Sequence, residues 1–377
     1  VVENACLMHD IGNPPFGHFG EAALVKWAED NLESYAKDLR LDYAAIKPLL
    51  ADFYEFDGNP QGIRIVSRLH CEKDEFALNL TVPSLLSAVK YARTSGEEKA
   101  GRKIRKKAGY FKSEEAQIEK AYRLIGWPKG FRYPLTYIME AADDISYCLS
   151  DVSDAIAKGI ITPAEFLKEF HEMWEQKYGS EEIPVKSLAE KESVRDFGVE
   201  ICIEISHKAV EAAAEAFVRR YDTFCDSSAE ELITEDMPMG RVLNVIKDFS
   251  VKRIYQSKEA ESIELSGYAV ISGLLERYFG RLLKLPRAEF EAFVAGKKVG
   301  GRAYEQHLFN RLSKRCLKSY QNQLKEWFAD DEAVRLYGPD GLEWWLRVHL
   351  IVDHVSAMTD DFALFEYQMF EGIRINN

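Results

Sequence analysis

The chain has 377 residues, 46% hydrophobic and 29% charged, which is material for one large domain or two ordinary ones. No apolar run approaches the ~18 residues that a membrane-spanning helix needs. The six cysteines, at 6, 71, 148, 202, 225 and 316, form no CxxC pair, which argues against a structural zinc site and a disulfide framework and fits a reducing cytoplasm. The formal charge of −13 makes the chain a poor general partner for nucleic acid, so an anionic substrate needs local cations, and phosphate sites can still be built locally. The chain opens Val1-Val2 without a methionine, and the natural start is expected upstream.

In chain order, the pattern predicts helices over Glu21–Leu39, Pro83–Arg93, Tyr137–Gly159, Pro163–Tyr178, Val199–Arg220, Gly267–Leu283 and Gly341–Phe370. In the third of these, Ile138, Ala141, Ile145, Cys148, Val152 and Ile156 recur every three or four residues as one apolar face, while Asp143, Tyr147 and Asp151 form a polar stripe at i, i+4 and i+8. Phe53–Asp57 is a possible strand, and Arg64–Leu69 suits either a strand or a helix. Loops are expected at Gly12–Gly20, Asp57–Gly62, Thr94–Gly109 and Ala295–Gly301. The expected fold is all-α, with a site-bearing part over 1–160 and a second helical lobe over 161–377.

Chemistry concentrates in Ala5–Ala23, ACLMHDIGNPPFGHFGEAA. His9-Asp10 offers a mixed N/O donor pair suited to Mn, Fe, Zn or Mg, and Gly12-Asn13-Pro14-Pro15 supplies the helix end that would let adjacent residues share an ion. The plainer reading is a histidine on a backbone group beside a capping aspartate. His18 and Glu21 are spaced i, i+3, so Glu21 could fix the imidazole tautomer and raise its pKa, or simply form a helix-end salt bridge. Glycines 12, 17 and 20 would let backbone approach a ligand. The stripe Asp143/Tyr147/Asp151 reads as a third metal ligand with a phenol and a second carboxylate, or as a solvated face. Lys90-Tyr91 and the run Lys99–Lys107 are the cation sources, positioned to attract polyphosphate or single-stranded nucleic acid.

HDIGNPPFGHFGEAA (9–23), FDGNPQGIRI (56–65), KKAGYFKSEEAQI (106–118), YPLTYIMEAADDISYCLSD (133–151), ELSGYAVISGLLERY (264–278) and DHVSAMTDDFALFEY (353–367) together resemble the bacterial deoxyguanosine triphosphate triphosphohydrolases of the HD phosphohydrolase superfamily. The resemblance implies an HD-domain helical core with an additional C-terminal helical lobe that completes the nucleotide pocket and makes oligomer contacts. It implies a divalent metal, Mg²⁺ or Mn²⁺ or another transition metal, held by two His and two Asp, and hydrolysis of dGTP or other dNTPs to deoxynucleoside and inorganic triphosphate. His9, Asp10 and Asp143 match three ligands. The first His ligand belongs to a helix upstream of this chain, and none of His70, His171, His207, His307, His349 or His354 sits in its context. His18 and Glu21 match the catalytic histidine and its carboxylate partner. Tyr147 and Asp151 match residues at the phosphates and the 3′-hydroxyl, Asn59, Lys90 and Tyr91 match substrate contacts, and Tyr255 and Glu264 align near the nucleoside pocket. Homo-oligomers, hexamers among them, and a contact with single-stranded DNA are further implications. The competing readings are another HD-type nucleotide phosphohydrolase or phosphodiesterase, and a non-catalytic HD scaffold that binds nucleotide or single-stranded DNA.

Overall fold

A computed structural model describes residues 1–71, 74, 76–189 and 201–373. Regular structure among them is helical, and their one β-type pairing is an isolated bridge between Thr94 and Tyr110. The all-α expectation holds. No helix among the described residues is long and apolar enough to cross a membrane.

Pro163–Tyr178 forms as predicted, because Thr162 and Glu165 close a reciprocal capping box and Pro163 occupies the first helical position. Elsewhere local composition misleads. Phe53 and Tyr54 close a helix, Tyr43–Tyr54, and form no strand. Gly58–Arg64, expected as a loop, is helical behind the Asp57 cap and runs on into a π-helical turn at Ile65–Leu69. The helix expected from Glu21 begins at Gly17, and the one expected over Pro83–Arg93 is confined to Val82–Ser87. Gly341–Phe370 is two helices, Pro339–Ser356 and Asp360–Phe370, because the Thr359 hydroxyl accepts the Phe362 N–H and starts the second. Val199–Arg220 is observed as Cys202–Arg219, and positions 199 and 200 lie outside the described residues.

The described chain forms two compact units, each assembled from separated stretches of sequence. The first gathers Val1–Leu7, Leu86–Lys90 and Trp127–Ile263, so a cut near residue 160 falls inside it. Its core is built by Phe166, Leu167, Phe170 and Trp174 of Pro163–Tyr178 against Val242, Val245 and Phe249 of Pro238–Arg253. The Phe166 and Phe249 rings meet edge to face at 4.9 Å. Helix Pro134–Ala157 adds Ile145, Cys148, Leu149, Val152 and Ala155 to that core, which leaves Asp143, Tyr147 and Asp151 on its other faces.

The second unit gathers Met8–Leu85, Tyr91–Gly126 and Glu264–Asn377. Pro339–Ser356 runs through its core with every residue from Gly341 to Ser356 buried. A helix buried all round is stabilised where its polar side chains are paired, and its charged ones are. Glu343 takes hydrogen bonds from Tyr320 and Arg347, His349 bonds Asp52, and Asp353 grips Arg64. Trp27 stacked on Phe279, 4.2 Å between centroids, closes the core on the side of helix Gly17–Asp38.

Candidate active site

After helix Val2–Met8 the chain turns sharply. Ile11 N–H bonds the Met8 carbonyl and Asn13 N–H bonds the Asp10 carbonyl, each at 3.1 Å. In this turn His9 Nε2 and Asp10 Oδ2 stand 3.1 Å apart, with Asp10 the more exposed of the two. Gly12 then seats the turn on helix Gly58–Arg64. A Cβ at that position would lie 2.1 Å from both the Gly58 oxygen and the Gly62 nitrogen. Glycine is required here because two backbones touch; a Cβ at Gly20 would likewise meet the Pro15 carbonyl. Both glycines, expected to admit a ligand, admit the protein's own main chain.

The helix Gly17–Asp38 presents His18 and Glu21 from its first turn. His18 Nδ1 and Glu21 Oε2 are 2.9 Å apart, while Glu21 Oε1 accepts the buried Gly58 N–H at 2.7 Å. Glu21 is thus pinned from behind and the imidazole faces solvent. The hydrogen bond to Glu21 holds the His18 pKa above the ordinary 6.5; partial burial and the nearby Lys107 pull it down, and Asp57 adds to the rise. Asp57 accepts both the Asn59 N–H and the Asn59 side-chain amide on one oxygen and ion-pairs with Lys107 on the other. Burial presses the Lys107 pKa down, but Asp57, with Glu21 and Tyr91 helping, lifts it above the ordinary lysine value. In the second unit the structure therefore brings together His18, Glu21, Asn59 and Tyr91 around a pair, Asp57–Lys107, that sequence reasoning did not single out. The signal was present in the segments FDGNP and KKAGYF, whose acid and base meet only in three dimensions.

In the first unit, Lys90 Nζ lies 3.2 Å from Asp143 Oδ2, both half-buried. One and two turns on, Tyr147, Asp151 and Tyr255 share a hydrogen-bond cluster, with the Tyr255 hydroxyl donating to Asp151. Burial raises the Asp151 pKa against the two phenols that donate to it. The Tyr147 and Tyr255 rings lie 6.4 Å apart. Glu264, which the resemblance places with Tyr255 near the nucleoside pocket, belongs to the second unit with His9 and Asp10.

Apart from Lys107, the bonds of the basic run seen here tie it to the adjoining loop. Ile104 is buried, Arg93 donates to the Arg105, Thr94 and Glu97 carbonyls, and Arg105 binds the Ala92 and Glu98 carbonyls. His349 and His354 are core residues, bonded to Asp52 and to the Ser313 N–H.

An all-helical chain with a His-Asp turn and an imidazole anchored by a pinned glutamate has the features of an HD-type helical hydrolase. No family model matches the sequence. The chain is similar to a Pseudomonas aeruginosa protein named probable deoxyguanosinetriphosphate triphosphohydrolase, 32% identical over an alignment 406 positions long that takes in 99% of this chain and 78% of that relative. It belongs to the deoxyguanosinetriphosphate triphosphohydrolase family.

Proposed function

We propose that the protein hydrolyses dGTP, and other deoxynucleoside triphosphates with it, to the deoxynucleoside and inorganic triphosphate. The observation that carries this reading is the His18–Glu21–Gly58 relay. A solvent-facing imidazole is held by a carboxylate that is itself fixed, with its pKa raised toward the range where it can give up a proton near neutrality. Cleavage between the α-phosphorus and the 5′-oxygen needs such a proton for the departing alkoxide, and His18 is assigned to supply it.

A divalent metal, Mg²⁺ or Mn²⁺, is assigned to His9, Asp10 and Asp143. The donors fit it: an imidazole nitrogen beside a carboxylate at 3.1 Å, and a second carboxylate that already holds the Lys90 ammonium, make a mixed N/O set for a divalent cation. When bound, the metal supplies Lewis-acid neutralisation of phosphate charge. Lys90, Asn59, Tyr91 and Tyr147 position the triphosphate, which is most of what phosphoryl transfer asks of a protein. Asp151 and Tyr255 are assigned to the sugar and Glu264 to the nucleoside side. The working form in this reading is a cytoplasmic homo-oligomer such as a hexamer.

The test incubates the full-length protein with each dNTP, with Mg²⁺, Mn²⁺ or a chelator, and separates the products by anion exchange. Deoxynucleoside and tripolyphosphate in equal amounts, lost on chelation, support the proposal. Pyrophosphate or orthophosphate as the first product refutes it.

A further inference from the structure

We propose that Gly267 and Asp360 are positioning residues for His18, acting together to clamp Phe16 in a left-handed backbone conformation. The inference rests on the reading of His18 as proton donor. Phe16 has φ +62° and ψ +21°, and Gly17 follows at φ +55°. A side chain with a Cβ enters that region reluctantly, and a bulky one persists there only when its surroundings over-determine it. Two holds do so here. The Phe16 N–H donates to Asp360 Oδ1 at 2.9 Å. The Phe16 side chain packs against Gly267, so closely that a Cβ there would stand 2.4 Å from Phe16 Cβ and Cγ and 2.9 Å from Cδ1.

The consequence falls two residues on. With Phe16 and Gly17 both left-handed, the chain leaves Pro14-Pro15 and enters the helix in one fixed direction, so His18 sits at a defined place in the first turn. Glu21, pinned by Gly58, orients the ring from its side-chain end. Gly267 and Asp360 fix the same residue from its backbone end, Asp360 from 344 positions along the chain. Neither touches substrate in this reading; each acts through Phe16.

The experiment compares Gly267→Ala, Phe16→Gly, the double variant, Asp360→Ala and Asp360→Asn in the full-length protein, after confirming folding by circular dichroism. Gly267→Ala is expected to lower kcat by about tenfold or more with KM for dGTP within about twofold, since a misplaced group loses transition-state rather than ground-state contact. Adding Phe16→Gly removes the ring that the new methyl strikes and supplies a residue free to be left-handed, so the double variant recovers to within about threefold of the parent. Asp360→Ala loses kcat, and Asp360→Asn, which keeps the acceptor oxygen, retains it. A second readout needs no turnover. The His18 imidazole, followed by NMR, titrates nearer 6.5 in Gly267→Ala and returns in the double variant, with Glu21, Asp57 and Lys107 as its charged neighbours throughout. An unchanged kcat and titration in Gly267→Ala, or a loss that Phe16→Gly does not rescue, overturns the clamp. Full turnover in His18→Ala would instead overturn the proton-donor reading, and the titration arm would still decide the clamp.

Discussion

Glu21→Gln changes one atom and inverts the hydrogen-bond logic at His18. In the parent, Glu21 Oε1 accepts from Gly58 N–H and Oε2 faces His18 Nδ1 at 2.9 Å, an arrangement that favours an imidazolium with a proton on Nδ1. In the variant the amide oxygen stays on Gly58, because a buried N–H must keep an acceptor, and the amide NH₂ turns toward Nδ1. That donor bonds only an unprotonated Nδ1, so the neutral ring is now favoured and the His18 pKa falls to the ordinary 6.5 or lower. A hydrogen bond to a charged group contributes ~1.5–3 kcal/mol, which converts to about a ten- to 150-fold loss in kcat. The His18 side chain is 80% exposed, so screening by water places the expected loss at the lower end.

The pH profile carries the sign. A proton donor must hold its proton, so parent activity falls as pH rises through the elevated His18 pKa, and in Glu21→Gln that fall moves to lower pH. Steady-state assays across the neutral range, with product triphosphate quantified, read both effects. An unchanged kcat together with an unmoved alkaline limb would refute the argument that Glu21 tunes a working imidazole. A lower kcat with an unmoved limb would assign Glu21 a packing role only.

Asp151→Ala breaks the cluster with Tyr147 and Tyr255, and is expected to raise KM for dGTP and narrow the preference over GTP; equal KM values in parent and variant would remove Asp151 from the sugar site. Arg64→Met strands two buried carboxylates, Asp353 and Glu114, and should cost about 3–5 kcal/mol in urea unfolding, with a cost below ~1 kcal/mol counting against the network. Burial lowers the His354 pKa from 6.5 to about 4. Between these values the unfolded chain binds a proton that the folded one refuses, so stability present above 6.5 is lost as pH falls toward about 4. The stability lost between about pH 7 and about pH 5 in urea unfolding should therefore be about 2 kcal/mol smaller in His354→Gln than in the parent, while His349 and Asp52 contribute equally to both.

Some of this was legible in the residues and some was not. The helix over 134–157 announced itself because its buried face repeats at helical spacing and because that face packs within one unit. The helix Gly58–Arg64 was invisible. Its sequence, GNPQGIR, has the composition of a turn, and it is helical only because Asp57 caps it and Arg64 is locked between Asp353, Glu114, Ser113 and Gln323. The interleaving of the two units likewise had no local signature, because no composition change marks the crossings. The nearness in sequence of His18 and Glu21 pointed to a pair; the Gly58 N–H that turns the pair into a relay comes from a segment read as loop.

That short helix is where the second unit's stability and its proposed chemistry meet. Its first residue, Gly58, donates to Glu21, its Gly58 and Gly62 main chain packs against Gly12 just after the His-Asp turn, and its last, Arg64, is the hub of the buried ion network. Loss of Arg64 would then do more than subtract stability. The Gly58 N–H and the seat for Gly12 would shift with the helix they belong to, and both His9-Asp10 and His18-Glu21 would lose their common reference. A site made of side chains from a turn and from a helix's first residues needs such a reference, because neither element is rigid alone.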